Sequence, residues 1–71
     1  MGTVAKYQTE AEYRAAIRTR ITEPFERTKW PPDRITRHFV AQQLRIARQT
    51  YAKHNKEFGI SHEDVQHLRI R

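Results

Sequence analysis

The chain has 71 residues, which is enough for one small domain, and it contains no cysteine, which excludes disulfides and thiolate metal sites. No apolar run approaches the roughly 20 residues of a membrane span, so we expect a cytoplasmic protein without membrane contact, or one in the host cytoplasm if the source is viral. The net charge is +6, and residues 34–71 carry +5 of it (eight cationic against three acidic residues), which favours a negatively charged partner.

The N-terminal residues 1–8 show no periodicity and are expected to form a flexible arm, with Lys6 and Tyr7 as the side chains able to make contacts. The remainder, residues 9–71, is predicted to be one helical domain. Its order is expected to begin at Thr9, because Thr9–Glu12 matches a capping box that satisfies the free amides of a helix start.

A first helix is predicted over about residues 10–28. Apolar side chains recur there every fourth residue and give the helix one buried stripe: Tyr13, Ile17, Ile21 and Phe25. Pro24 lies inside this stripe and predicts a kink or a restart near Thr22, because proline lacks an amide hydrogen and clashes with the preceding turn. Trp30, followed by two prolines, either packs over a junction between helices or offers a stacking platform for a base.

The longest helical pattern covers about residues 33–58, which contain no glycine or proline, and it predicts a long central helix. Its apolar residues fall on two neighbouring ridges: Val40, Leu44, Ala47 and Tyr51 on one, and Ile35, Phe39 and Ile46 on the other. Gly59 is predicted to end this helix in the left-handed conformation, with Ile60 packing back on it. Ser61 then caps a short helix over about 62–69, so the predicted fold is an all-α three-helix bundle.

Residues 34–56 contain cationic side chains and not one carboxylate. On a continuous helix, four arginines fall within about 80° of one another, with His38 at their edge and Lys53 and Lys56 further along: Arg34, Arg37, Arg45 and Arg48. Arginine offers planar forks of donors that match phosphate or carboxylate groups, so this face is predicted to bind an anionic partner. The alternative is a charged face that is only solvated.

The segment from Tyr51 to Arg69 resembles the helix-turn-helix superfamily of DNA-binding domains. The resemblance rests on the turn and apolar positions Phe58, Gly59, Ile60, Val65 and Leu68. It implies that the helix from Ser61 reads DNA, with Gln66 and His67 facing bases and Arg69 and Arg71 near phosphates. A plain corner between two helices explains the same residues.

Catalysis, metal binding and cofactors are not expected. The histidines, His38, His54, His62 and His67, match no metal-binding spacing and are interpreted as surface residues. The only glycines are Gly2 and Gly59, so there is no glycine-rich phosphate loop.

The leading functional hypothesis is a small basic regulator, associated with transcription, that binds nucleic acid, DNA rather than RNA. The alternative is a small adaptor or inhibitor that binds an acidic protein surface, such as a phage-type regulator of a host machine like RNA polymerase. A third hypothesis is a subunit that folds stably only as a homodimer or larger oligomer, with the apolar ridges as its interface.

Overall fold

A computed structural model describes residues 7–71, in which all regular structure is helical, as the predicted fold class requires. The helices are α1 at Glu10–Ile17, α2 at Glu23–Thr28, α3 at Arg37–Leu44, α4 at Arg48–Phe58 and α5 at His62–Gln66. A π-helical segment at Arg18–Thr22 joins α1 to α2, and a 3₁₀ turn at Pro32–Arg34 precedes α3. None of these helices combines the length and the apolar character needed to cross a bilayer.

The first two described residues are anchored to the domain. The Tyr7 amide donates a hydrogen bond to His54 Nε2 at 2.9 Å, and its hydroxyl donates to the Leu44 carbonyl at 3.0 Å. The expectation that Tyr7 makes contacts is therefore confirmed, while the flexibility of the arm stays a prediction. The rest of that arm, residues 1–6 with Lys6, lies outside the described residues.

The predicted start of the first helix is confirmed. The Glu12 amide donates to Thr9 Oγ1 at 3.1 Å, while the Glu12 carboxylate accepts from the Gln8 amide at 3.0 Å and not from that of Thr9. The stripe behind this cap packs into the core, because Tyr13, Ile17 and Ile21 are fully buried.

The predicted kink or restart near Thr22 takes the form of a wider helical turn, and the helix does not restart, because Thr22 and Glu23 both keep right-handed helical geometry. The chain widens into the π-helical segment at Arg18–Thr22 and returns to α-helical geometry at Glu23, with Pro24 in the first turn of α2. The wider turn accommodates Pro24, which lacks an amide hydrogen and would clash with the preceding turn of a regular α-helix. On an α-helix, side chains four residues apart point in directions that differ by about 40°, so a stripe with this spacing gradually winds around the helix. The wider turn of the π-helical segment offsets this winding and keeps the stripe facing one core.

The predicted continuous helix over residues 33–58 is wrong. Its beginning is a 3₁₀ turn, and α3 starts only after Thr36, whose hydroxyl accepts from the Phe39 amide at 3.1 Å. The second interruption follows Leu44, where Arg45 adopts the left-handed conformation with φ 60° and ψ 42°.

A Schellman motif closes α3 at this interruption. The Arg45 amide donates to the Gln42 carbonyl and the Ile46 amide to the Ala41 carbonyl, both at 3.1 Å. Ile46 is thereby turned inward and is only 6% exposed, whereas Ala47 is exposed. Burial of the Ile46 side chain is the physical reason for the break, because the reversal brings Ile46 into the core with Val40 and Leu44, whereas Ala47, predicted on the same ridge as Val40, stays at the surface.

One core joins all the helical segments. Its buried apolar members are Tyr13, Ile17, Ile21, Ile35, Val40, Ala41, Leu44, Ile46, Tyr51, Ile60, Val65 and Ile70. Trp30 packs at its edge, with its ring centroid 4.5 Å from that of Phe25 and 5.4 Å from that of Phe39. This confirms the interpretation of Trp30 as a side chain packed over a junction between helices.

The corner between α4 and α5 forms as predicted. Gly59 is left-handed, with φ 69°, the Ile60 amide donates to the Asn55 carbonyl at 2.9 Å, and Ser61 Oγ accepts from the Asp64 amide at 3.1 Å. However, α5 ends at Gln66 and not near residue 69. It ends early because Leu68 takes a left-handed conformation, with φ 58°, which returns Ile70 to the core.

Candidate nucleic-acid interface

The candidate interface lies in residues 34–56, which we call the basic segment. It carries six exposed cationic side chains: Arg34, Arg37, Arg45, Arg48, Lys53 and Lys56. Exposed His38 lies beside them on α3. The nearest carboxylates in sequence are Asp33 and Glu57, one at each end of the segment. All six positive charges are therefore presented to solvent.

Four of the eight carboxylates pair with arginines outside the basic segment. The pairs and their N–O distances are Arg14–Glu10 at 2.8 Å, Arg18–Glu23 at 3.9 Å, Arg69–Asp64 at 3.2 Å and Arg71–Glu26 at 2.5 Å. Within residues 7–71, none of the six cations of the basic segment forms an ion pair. Folding therefore leaves their charge available to a partner.

The break at Arg45 divides the arginines into two groups at opposite ends of α3. Arg34 and Arg37 lie at or before the first residue of α3, whereas Arg45 and Arg48 lie beyond its last residue. An eight-residue helix is about 12 Å long, so the backbones of Arg37 and Arg45, at the two ends of α3, lie about 12 Å apart. The prediction that all four arginines share one face assumed a continuous helix over residues 33–58, so it does not apply to two separate helices. The binding role of each arginine stays a prediction.

Together, α3 and α4 form a pair of packed helices joined by the short turn Arg45–Ala47. Turns of three or four residues also join the two helices of a helix-turn-helix unit, and the turn between α3 and α4 has that length. The sequence resemblance was placed at 51–69, and sequence analysis did not predict a turn between helices at Arg45–Ala47. Two features could have indicated it, namely Thr36 as a helix cap and the spread of apolar residues over two ridges.

The inner face of α4 is fixed by polar contacts as well as packing. The Tyr13 hydroxyl donates to Asn55 Oδ1 at 2.5 Å, and the Tyr51 hydroxyl lies 2.7 Å from His62 Nδ1. His54, on the same face, is 2% exposed, so its interpretation as a surface histidine is wrong. Its ring is surrounded by three aromatic rings, those of Tyr7, Tyr13 and Phe58, at centroid distances of 5.1–6.0 Å.

The outer face of α4 is exposed and free of carboxylates up to its last turn. Gln49, Ala52, Lys53 and Lys56 are all exposed, and Arg48 begins the helix. Residues three and four positions apart lie on one side of a helix, so Gln49, Ala52 and Lys53 share this face. Glu57 lies at its edge, with Oε1 3.5 Å from His54 Nδ1. Sequence analysis did not single out Gln49 or Ala52.

Three tyrosines and His62, which lie behind α4, remain uncharged near neutral pH. Burial raises the pKa of Tyr13 far above its ordinary value, and it also raises the pKa of Tyr51 and of Tyr7. Burial first, and then the charge of Arg37, lower the pKa of His62. The tyrosines therefore keep their protons as hydrogen-bond donors, and His62 is neutral and can accept.

The base-reading residues predicted from the resemblance lie at the other end of the chain, on and after α5. Gln66 is half-buried, while His67 and Arg69 are exposed. Arg69 pairs with Asp64 within the protein, and Arg71, expected near phosphates, pairs with Glu26. The helix that would carry this role has five residues, about 7.5 Å. The role of these residues stays a prediction.

The histidines are dispersed between different parts of the fold. His38 and His67 are exposed, His62 is half-buried and His54 is buried. In the part of the chain that the structure describes, no three side chains of metal-binding type come together in a way that could hold an ion.

No protein-family model matches the chain, and comparisons with curated proteins and with solved structures found no match either. Its function is therefore argued from its own residues.

Proposed function

We propose that the protein binds nucleic acid, duplex DNA in preference to RNA, through the basic segment, and acts as a regulator associated with transcription. The observation that carries this proposal is the concentration of unpaired cations in one carboxylate-free stretch of the chain. Nine Lys and Arg side chains make no ion pair within residues 7–71, and six of them lie exposed in the basic segment, the other three being Arg20, Arg27 and Lys29. A phosphate backbone supplies the missing counter-charge.

The energetic reason is the release of counterions from DNA. Each phosphate that a cation neutralises frees condensed counterions, so the logarithm of affinity falls with the logarithm of salt concentration by about 0.9 per contact. Cations already paired with carboxylates would gain less, because binding would first break the internal pair. Arginine also matches phosphate oxygens through two parallel hydrogen bonds.

The test is a titration of a fluorescently labelled 20-base-pair duplex at several salt concentrations, with a labelled hairpin RNA beside it. Four to six phosphate contacts predict a slope of about −4 to −5 on duplex DNA. Lys53→Glu is expected to weaken binding at least tenfold and to reduce the steepness of that slope.

Arg27→Glu is the matched control. It makes the same change in net charge at an exposed cation of α2, outside the basic segment, and is expected to leave binding within about twofold. Equal losses in the two variants would contradict an interface located in the basic segment. Negligible binding of both nucleic acids at 50 mM salt would contradict the proposal and favour an acidic protein partner.

A further inference from the structure

We propose that α4 lies in the major groove of B-form DNA and reads base edges through Arg48, Gln49, Ala52 and Lys53. This inference rests on the proposed function and adds the groove, the reading element and the side chains that give sequence preference. It assigns the reading of bases to α4 and not to α5, the helix to which the sequence resemblance assigned it.

The dimensions of α4 fit the groove. With 11 residues, α4 is about 16 Å long, and an α-helix with its side chains is about 10–12 Å across. The major groove of B-form DNA is about 12 Å wide and admits one helix, whereas that of A-form RNA is too narrow for side chains to read. This difference favours DNA as the partner.

The exposed side chains of α4 have the chemistry that base recognition needs. A glutamine amide can make two hydrogen bonds to adenine, arginine or lysine can bind guanine, and an alanine methyl can contact the thymine methyl. Gln49, Ala52 and Lys53 are exposed on one side of the helix, with no carboxylate among them to repel phosphates. The polar and apolar groups needed to read bases thus face outward together.

The opposite side of α4 is held so that this reading face cannot rotate. Tyr51 and His54 are buried, and Asn55 accepts the hydrogen bond of the Tyr13 hydroxyl. A side chain that is fixed before binding loses less entropy on contact with a base.

The preceding helix completes the docking geometry. In this docking, α3 and α4 take the places of the two helices of a helix-turn-helix unit, of which the second enters the groove and the first crosses the DNA backbone. Here the first helix is α3, and Arg34 and Arg37 at its beginning are exposed. They are placed to contact phosphates at the edge of the groove that α4 occupies.

The competing helix, α5, has the wrong length and charge for this role. It has five residues, and its first turn contains Glu63 and Asp64, which phosphates repel. Its neighbouring cation Arg69 is paired with Asp64 at 3.2 Å.

The test is selection of bound sequences from a pool of duplexes with a randomised 20-base-pair centre, using the wild-type protein, Gln49→Ala and Gln66→Ala. Both substitutions remove one amide without changing the charge, and circular dichroism verifies that each variant is folded. Gln49→Ala is expected to lose about tenfold or more of the discrimination at one or two positions of the selected site. Gln66→Ala is expected to retain the wild-type preference.

Three outcomes would overturn the inference: an unchanged preference in Gln49→Ala, a changed preference in Gln66→Ala, or no enriched sequence for the wild type. In each, salt-dependent binding to an unselected duplex would persist, so the proposed function would stand. Loss of that binding as well would instead contradict the proposed function.

Discussion

Two histidines hold the inner face of α4 by accepting hydrogen bonds. His54 Nε2 accepts from the Tyr7 amide at 2.9 Å, and His62 Nδ1 lies 2.7 Å from the Tyr51 hydroxyl, which donates to it. A protonated imidazole has two N–H donors and no acceptor, so the bond from the Tyr51 hydroxyl requires a neutral His62 ring. The position of α4 is therefore coupled to the protonation of His62, which lies behind it.

The lowered pKa of His62 predicts that the protein loses stability on mild acidification. Burial and the charge of Arg37 lower its folded-state pKa below the ordinary 6.5, so below pH 6.5 the unfolded chain binds more protons. Stability is then fully present above pH 6.5, falls as the pH decreases through 6.5, and levels off below the folded-state pKa.

Urea unfolding at pH 7.5, 6.5 and 5.5 measures this loss. The variant His62→Gln keeps an acceptor and a donor but does not titrate, so its unfolding free energy is expected to vary less with pH. The remaining histidines are common to both proteins and cancel in the comparison. Identical pH profiles for the two proteins would show that His62 does not contribute.

At the scale of the helices, the boundaries that local chemistry determines could be predicted from the sequence. Thr9, Gly59 and Ser61 act as predicted, because a cap is satisfied by residues within one turn. The break at Arg45 could not be predicted in the same way. Neither glycine nor proline marks it, and its cause is the burial of Ile46 against residues distant in sequence.

Arg45 occupies a position that glycine normally takes, and Arg45→Gly is expected to stabilise the protein. The left-handed conformation, φ 60°, costs a non-glycine residue about 1 kcal/mol. Relief of this cost, partly offset by the extra freedom of glycine in the unfolded chain, predicts a gain of about 0.5 kcal/mol and a rise in Tm of a few degrees. If Arg45 binds a phosphate, the salt slope is expected to become shallower by about 0.9.

Two further variants separate conformation from charge. Lys29 is also left-handed, with φ 57°, and lies outside the basic segment, so Lys29→Gly should stabilise without changing the salt slope. Arg45→Ala keeps the strain and removes the charge, and it should change the slope without raising Tm. Thermal unfolding by circular dichroism and DNA titration give both readouts, and a lower Tm for Arg45→Gly would contradict the account of the turn.

At the scale of the whole molecule, the sequence predicts which residues carry the charge but not how they are arranged. The carboxylate-free segment is visible in the sequence, and its exposure follows from its charge. The division of its arginines by α3, the pair between Arg71 and Glu26 and the burial of His54 all depend on contacts between distant residues. Periodicity within one helix contains no information about them.

Tyr7 makes the clearest contacts of this kind, because its hydrogen bonds connect the beginning of the described chain to the end of α3 and to the middle of α4. Its amide reaches His54, 47 residues away, and its hydroxyl reaches the Leu44 carbonyl, 37 residues away. Its ring packs 5.7 Å from that of Tyr13. Loss of these Tyr7 contacts should therefore make the position of α4 less well fixed.

Two substitutions measure, in urea unfolding, how much the Tyr7 contacts contribute to the free energy of unfolding. Tyr7→Phe removes only the hydroxyl and is expected to cost about 1 kcal/mol, whereas Tyr7→Ala also removes the half-buried ring and is expected to cost about 2–3 kcal/mol. Because α4 is proposed to read DNA, Tyr7→Ala should also reduce sequence preference more than affinity for an unselected duplex. A Tyr7→Ala protein as stable as the wild type would show that residues 7 and 8 do not support α4.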